Sequence, residues 1–154
     1  MNIEDMLADG AIIPRLEASD KKQALQALAS KAEALTGASA ADIYAALLQR
    51  ERLSSTSLGR GIAIPHVKLP AVKAITCVFA RLSHPIPFES HDGEPVDLLF
   101  FLLAPEGAGA DHLKALARIS RLVRDSATLD GLRSAKDAET LRGVLMKPLT
   151  SHAA

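Results

Sequence analysis

An unbroken apolar segment of eight residues, Leu98–Pro105, limits the possible folds more than any other part of the sequence. The segment has the length of a buried strand and lacks the polar alternation of a strand with one face in water. It is far shorter than the roughly 20 apolar residues that a helix needs to cross a bilayer. We therefore expect a strand over Val96–Leu103 at the centre of a sheet, and no segment inserted in a membrane.

The remainder of the chain alternates between helix and strand patterns. Strands are predicted over Ile62–Lys68 and Ala74–Leu82, an edge strand over Ala11–Leu16, and helices over Asn2–Ala8, Asp20–Leu35, Ser39–Arg52, Asp111–Val123, Ala127–Leu132 and Asp137–Met146. Ser19 or Asp20, Ser39 and Asp111 are the predicted helix caps. The pattern predicts a single α/β or α+β domain over residues 1–150, with helices packed on a sheet and residues 151–154 as a frayed tail.

Charge and cysteine content narrow the possible functions. The 18 basic side chains balance 18 acidic ones, so the chain lacks the excess positive charge that non-specific binding to nucleic acid requires. Cys77 is the single cysteine, which excludes an intramolecular disulfide and favours a reducing compartment. The chain begins with acidic residues rather than the basic ones of a secretory signal. We expect a cytoplasmic protein that does not bind nucleic acid.

The segment Gly59–His66 carries the strongest local indication of chemistry. A loop rich in hydroxyl side chains and glycine, Leu53–Arg60, leads into a short apolar strand that ends in Pro65 and then His66. Proline restricts the backbone, so His66 can be held in one orientation while nearby loop amides bind an anion. This placement suits an imidazole nucleophile that receives a phosphoryl group. The alternative is a structural histidine that caps a strand.

Two further side chains are candidates for binding the phosphoryl group. His112 follows Asp111 at the start of a predicted helix, where a neutral imidazole can donate a hydrogen bond to an anion. The alternative is a first-turn histidine that faces solvent. Arg50 lies at the end of a predicted helix beside the hydroxyl-rich loop, where its guanidinium could neutralise a phosphoryl group or simply complement the helix dipole.

No metal or cofactor site is predicted. The histidines lack the close spacing and the acidic neighbours of zinc motifs. Three of them are predicted to lie in turns or in the tail without a role: His84, His91 and His152. Gly59 and Gly61 precede a strand instead of joining a strand to a helix, so the chain has neither a Walker loop nor a dinucleotide-binding fingerprint.

Six short motifs lie along the chain. They are Arg50-Glu51, Ser55-Thr56, Leu58-Gly59, Gly61-Ile62-Ala63-Ile64-Pro65-His66, Pro95-Val96-Asp97-Leu98-Leu99-Phe100 and Asp111-His112-Leu113. Together they resemble the active-site signature, the central strand and the second active-site histidine of the fructose/mannitol-type enzyme IIA domains of the bacterial phosphotransferase system. The resemblance covers essentially the whole chain, and within the family it is greatest to the free-standing nitrogen-regulatory members.

The resemblance implies a central mixed β-sheet flanked by helices, and a phosphoryl acceptor at His66. The donor would be a histidine phosphocarrier protein, with phosphoenolpyruvate as the ultimate source. The family is phosphorylated on Nε2, which agrees with a backbone acceptor holding the other ring nitrogen. His112 and Arg50 match the supporting residues of the family site. Ser55, Thr56 and Arg60 are expected to assist in binding the phosphoryl oxygens.

Two residues depart from the family pattern. Val67 follows the acceptor histidine where glycine, alanine or cysteine is usual, and Arg60 stands where asparagine is frequent. Val67 adds bulk and restricts the backbone beside His66, so donor docking or the transfer rate could differ from the family norm. Arg60 could add positive charge for the phosphoryl group.

The resemblance implies a regulatory phosphocarrier that controls partner proteins through its phosphorylation state. Its targets would be sensor kinases, potassium transporters or metabolic enzymes. One alternative is a sugar-specific enzyme IIA that passes phosphate to an enzyme IIB for uptake of fructose or mannitol. A second alternative is a regulatory binding module that acts without phosphate and whose two histidines, His66 and His112, are idle.

Overall fold

A computed structural model describes residues 2–147 of the chain, so the predicted tail over 151–154 lies outside the described residues. The strands are β1 Ile12–Leu16, β2 Ser57–Gly59, β3 Ile62–Ala63, β4 His66–Leu69, β5 Thr76–Ile86 and β6 Val96–Pro105. The helices are α1 Ile3–Met6, α2 Lys21–Thr36, α3 Ala40–Leu53, α4 Ala110–Leu122, α5 Ser126–Ser134 and α6 Ala138–Met146. No helix among residues 2–147 is long and apolar enough to span a bilayer.

The sheet is mixed and has β6 at its centre. The strand order is β1-β5-β6-β3-β2, and β4 also pairs with β6. β6 runs antiparallel to β5 and parallel to β3 and β4, while β1 is parallel to β5 at one edge. These pairings confirm the predicted mixed sheet, its central strand and its edge strand at residues 12–16.

Alternate residues of β6 face two separate hydrophobic cores. Leu98, Phe100 and Leu102 pack with helices α1 and α4–α6, and the Phe100 ring meets Phe79 edge-on with centroids 5.0 Å apart. Leu99, Phe101 and Leu103 face the opposite side, which α2 and α3 cover. Because both faces are covered, the strand is apolar along its whole length instead of alternating with polar residues.

The predicted ends of the two long N-terminal helices are confirmed. Asp20 accepts a hydrogen bond from the Gln23 amide at the start of α2, and Gly37 ends the helix in the left-handed conformation. Ser39 accepts from the Asp42 amide at the start of α3. The Ser39 cap fixes where α3 begins, and Arg50 lies in the last turn of that helix.

The prediction of one strand over Ile62–Lys68 is wrong. β3 ends at Ala63, and β4 begins at His66. Pro65 lies at the break because it has no amide hydrogen to contribute to a ladder. Its carbonyl still accepts from the Leu102 amide, which keeps both short strands against β6. His66 therefore begins a strand, where the sequence interpretation had it at a strand end.

Three smaller expectations are also corrected. Gly109, not Asp111, occupies the cap position of α4, and Asp111 lies in the first turn without capping it. β5 continues to Ile86, through the stretch predicted as a turn, because a register shift after Arg81 lets the strand pass Pro85. The predicted loop Leu53–Arg60 contains the short strand β2.

Candidate functional site

A cavity of about 370 Å³ brings together three of the predicted site residues, Arg50, His66 and His112. Each comes from a different element, since Arg50 lies in the last turn of α3, His66 opens β4 and His112 lies in the first turn of α4. The sheet topology explains why these residues lie close together. β4 pairs in parallel with the last residues of β6, and α4 follows β6 after a short turn. The start of α4 is therefore carried to the edge where His66 lies.

The ring of His66 is held in one tautomer by the backbone. Its Nδ1 lies 2.8 Å from the carbonyl oxygen of Ile64, so Nδ1 donates and Nε2 keeps its lone pair. Burial lowers the pKa of His66, and the charge of Arg50 lowers it further. The hydrogen bond to Ile64 and the charge of Glu51 act in the opposite direction and raise it. The imidazole is therefore neutral at neutral pH. The neutral ring is the form that acts as a nucleophile, through the lone pair on Nε2.

His112 is buried beside His66 and does not face solvent, so the alternative of a solvent-facing histidine is wrong. Its exposure is 6%, and the two imidazole centroids lie 5.6 Å apart with their planes at 56°. The Nε2 atom of His112 is buried and has no hydrogen-bond partner within residues 2–147. Burial lowers the pKa of His112, and the nearby His66 and Lys68 lower it further. A neutral imidazole there can donate to a bound anion.

Arg50 contacts both its own helix end and the cavity. Its Nη1 donates to the carbonyl of Ser54, 3.0 Å away, which is the cap residue just after α3. This bond is the helix-end complementation that the sequence analysis gave as an alternative, yet it uses only part of the guanidinium. An arginine has five N–H donors, so the same side chain can also bind the oxygens of a phosphoryl group in the cavity.

The three residues expected to assist in phosphate binding do not line the cavity. Ser55 Oγ donates to the carbonyl of Phe88 at 2.9 Å, and Thr56 Oγ1 donates to Glu51 Oε2 at 2.5 Å. Both hydroxyl groups are therefore engaged in holding the loop.

Arg60 points away from the cavity. Gly59, Arg60 and Gly61 all have positive φ, which turns the chain sharply between β2 and β3. The turn directs the Arg60 guanidinium to the carbonyl of Val123, just past the end of α4. The extra charge of this departure from the family pattern thus lies outside the site.

Four of the loop amides expected to bind an anion already have partners. The amides of Thr56 and Arg60 donate to the carboxylates of Glu51 and Asp92 respectively. The amides of Ser57 and Gly59 donate to hydroxyl groups of the loop itself. These four amides are therefore not free to bind an anion in the cavity, which is also lined by the polar side chains of Arg50, His66, Lys68 and His112.

Lys68 is a site residue that the sequence analysis missed. It lies in β4 two residues after His66, is exposed and lines the cavity. Successive side chains alternate across a strand, so the His66 to Lys68 spacing was the signal that could have found it. Val67, between them, points into the α2 and α3 core at 6% exposure, although it also lines the cavity floor. Within residues 2–147 no cluster of histidine, cysteine and acidic side chains could hold a metal ion.

Comparison with known proteins agrees with this arrangement. The family model for EIIA 2 of the phosphoenolpyruvate-dependent sugar phosphotransferase system matches residues 5–147. The chain is 56% identical over 148 residues to the nitrogen regulatory protein of Bradyrhizobium diazoefficiens. The aligned region covers 96% of this chain and 97% of that one.

Solved structures show the same fold. The crystal structure of nitrogen regulatory protein IIA-Ntr from Neisseria meningitidis has a TM-score of 0.88 and 34% identity, covering 93% of this chain and 98% of that one. IIA mannitol from Escherichia coli has a TM-score of 0.75 at 20% identity, over 90% and 97% of the two chains, and is similar in fold alone. This protein therefore belongs to the EIIA 2 family of the phosphoenolpyruvate-dependent sugar phosphotransferase system.

Proposed function

We propose that this protein is a histidine phosphocarrier of a regulatory, nitrogen-related phosphotransferase system, with His66 Nε2 as the phosphoryl acceptor. The observation that carries the proposal is the bond from His66 Nδ1 to the Ile64 carbonyl. It leaves Nε2 unprotonated in a cavity that also holds Arg50 and His112. A phosphoryl transfer needs little more than a positioned nucleophile and groups that stabilise negative charge.

Each side chain of the cavity has a role in the transfer. The lone pair of His66 Nε2 forms a bond to phosphorus, while the N–P bond of the phosphorylated donor breaks and its electron pair returns to the donor ring. The proton on Nδ1 stays beside the Ile64 carbonyl. Arg50 and Lys68 offset the negative charge of the phosphoryl oxygens, and His112 donates a hydrogen bond to one of them.

The donor is proposed to be a histidine phosphocarrier protein that docks over the cavity. Two large apolar side chains are exposed beside the site, namely Leu53 at 79% and Leu113 at 68%. Leu53 lines the cavity, and Leu113 follows His112 in α4. Exposed apolar side chains around a polar centre are typical of a protein-binding surface. They would exclude water from the phosphoryl group when the donor is bound.

The regulatory role is supported by the relative from Bradyrhizobium diazoefficiens, because the 56% identity extends over nearly the full length of both chains. Phosphorylation adds nearly two negative charges and three strong acceptor oxygens to the surface around His66. Such a change can weaken one protein interface and strengthen another. The proposed targets are sensor kinases, potassium transporters or metabolic enzymes, and the proposed location is the cytoplasm.

The test is intact-mass analysis after incubation with phosphoenolpyruvate, enzyme I and the histidine phosphocarrier protein. Wild type should gain one acid-labile phosphoryl group, and His66→Ala should gain none. His84→Ala is the matched control, because it removes an exposed histidine on β5 outside the cavity. A phosphoryl group that persists in His66→Ala would contradict the proposal.

Two further results separate the remaining functions. Arg50→Ala and His112→Ala should slow phosphorylation without abolishing it, since both groups only stabilise the transferred charge. Rapid loss of the phosphoryl group to an enzyme IIB would instead favour sugar uptake. No phosphorylation of wild type, together with partner binding that His66→Ala leaves unchanged, would favour a module that acts without phosphate.

A further inference from the structure

A buried ion pair lies near the site, between two residues that do not line the cavity, Glu51 and Lys21. Glu51 is 8% exposed and follows Arg50 directly in the sequence. Its Oε1 lies 2.9 Å from Nζ of Lys21, the first residue of α2. Burying a carboxylate is costly unless it is paired and hydrogen-bonded, and Glu51 has further bonds as well as its cation.

Those further bonds all come from Thr56. The Thr56 amide donates to Glu51 Oε1 at 3.2 Å, and the Thr56 hydroxyl donates to Oε2 at 2.5 Å. Both carboxylate oxygens are thus engaged by one residue of the loop that precedes β2. The position of the Thr56 backbone is therefore set by the buried carboxylate.

The hydrogen bonds continue from Thr56 to the acceptor histidine. The carbonyl of Thr56 accepts from the amide of Ile64 at 3.0 Å. The carbonyl of Ile64 in turn accepts from His66 Nδ1 at 2.8 Å. Ile64 lies in the break between β3 and β4, where no regular ladder holds it. Its bond to Thr56 is thus one constraint on the carbonyl that selects the tautomer of His66, and the bond from the Leu102 amide to the Pro65 carbonyl is another.

We propose that Glu51 is a positioning residue for His66. Acting through Thr56 and Ile64, it orients the carbonyl group that holds the proton on Nδ1, and so it presents Nε2 to the phosphoryl group. Lys21 holds Glu51 in place through the ion pair. This inference rests on the proposed role of His66 as the phosphoryl acceptor.

The charge of Glu51 should favour phosphoryl transfer to His66, as its hydrogen bonds do. When Nε2 bonds to phosphorus while Nδ1 keeps its proton, the His66 ring becomes positively charged. Glu51 favours that charge, since it raises the pKa of His66 where Arg50 lowers it. Arg50 and Glu51 are neighbours in the sequence, yet one stabilises the phosphoryl group and the other stabilises the ring.

The experiment compares wild type with Glu51→Gln and with a matched control, Glu89→Gln. Glu89 also contacts Lys21 Nζ, at 3.0 Å, but its side chain is 81% exposed and it makes no bond to Thr56 within the described chain. The first measurement is the 15N NMR spectrum of the unphosphorylated imidazole rings against pH. The second is the single-turnover rate of phosphorylation by the phosphorylated donor at varied donor concentrations.

Glu51→Gln should increase the Nε2–H tautomer of His66, lower the pKa of His66, and slow the transfer step about 10- to 100-fold with little change in donor affinity. Glu89→Gln should match wild type in each measurement. A His66 spectrum and a transfer rate in Glu51→Gln equal to those of Glu89→Gln would overturn the inference.

A second pair of variants covers the case in which Glu51→Gln unfolds. Thr56→Val removes only the hydroxyl bond and leaves the ion pair intact, so it should shift the tautomer in the same direction by a smaller amount. Thr56→Ser restores the hydroxyl and should recover the wild-type spectrum. Identical spectra for the valine and serine variants would contradict the proposed path. The NMR measurement needs no phosphorylation, so it tests the positioning role even where the proposed function fails.

Discussion

Replacing His112 by leucine should separate the stability of the fold from its chemistry. Nε2 of this 6% exposed histidine is buried without a hydrogen-bond partner among residues 2–147. An unsatisfied buried polar group costs about 1–3 kcal/mol, and leucine would remove that cost while filling the space. We expect a gain of about 1 kcal/mol in the free energy of unfolding near pH 7, or about 2–4 °C in Tm for a domain of this size. Phosphoryl transfer should become slower.

The gain should increase as the pH falls. Burial is the main cause that holds the pKa of folded His112 below its ordinary value of 6.5. Below pH 6.5 the unfolded chain therefore binds a proton that the folded chain resists, so wild type loses stability at up to about 1.4 kcal/mol per pH unit from this residue. Leucine does not titrate, so the difference between variant and wild type should widen from about pH 7 to about pH 5.

Urea denaturation at several pH values, with phosphorylation rates measured on the same samples, provides the test. His84→Leu is the control, because its histidine is exposed on β5. The reasoning is refuted if His112→Leu is less stable than wild type near pH 7. It is also refuted if the stability difference stays constant as the pH falls, or if the variant transfers phosphate as fast as wild type.

Three other perturbations have defined outcomes. Gly61→Ala should cost about 1–2 kcal/mol in urea denaturation, because Gly61 has a φ of +82°. A Cβ there would also lie 2.7 Å from Arg133 Nη2 and 2.8 Å from Asp97 Oδ1, so these two side chains would have to shift. A cost below about 0.5 kcal/mol would contradict this. Burial raises the pKa of Cys77 to about 12, so a thiol reagent should label the protein only in denaturant, and rapid labelling of the native chain at neutral pH would show that the thiol is accessible. Leu53→Ser should raise KM for the phosphorylated donor several-fold while leaving kcat nearly unchanged, because it removes an exposed apolar contact; a fall in kcat alone would place Leu53 in the chemical step instead.

Much of the local structure was predictable because it depends on neighbours in the chain. Asp20 and Gly37 mark the two ends of α2, through hydrogen bonds that span only a few residues. The apolar run Leu98–Pro105 could be assigned to the sheet centre, since only a strand covered on both faces tolerates such a composition. The break at Pro65 was harder, because the pattern of apolar residues continues through it and only the missing amide interrupts the ladder.

The candidate site was predictable in part. Which of its residues could be predicted depends on what each side chain contacts in the folded chain. His66, His112 and Arg50 are polar groups at the ends of secondary structure elements, and motif resemblance to one family marked them. Ser55 and Thr56 carry the right chemistry for phosphate binding, but tertiary neighbours already use their hydroxyl groups. A sequence shows which donors exist, while only the packed structure shows which of them are already engaged.

The amino-acid sequence by itself determined the caps of α2 and α3, the central strand, the neutral charge balance and the residue types of the site. Tertiary structure alone decided that Arg50, His66 and His112 share one cavity, that Arg60 lies elsewhere, and that a buried Glu51 is linked by hydrogen bonds to the His66 ring. The physical reason is how far apart in the sequence the interacting residues lie. Caps and periodicity arise from contacts within a few residues, whereas the cavity and the hydrogen-bonded path depend on strand order and register, which the whole chain settles together as it packs its two cores.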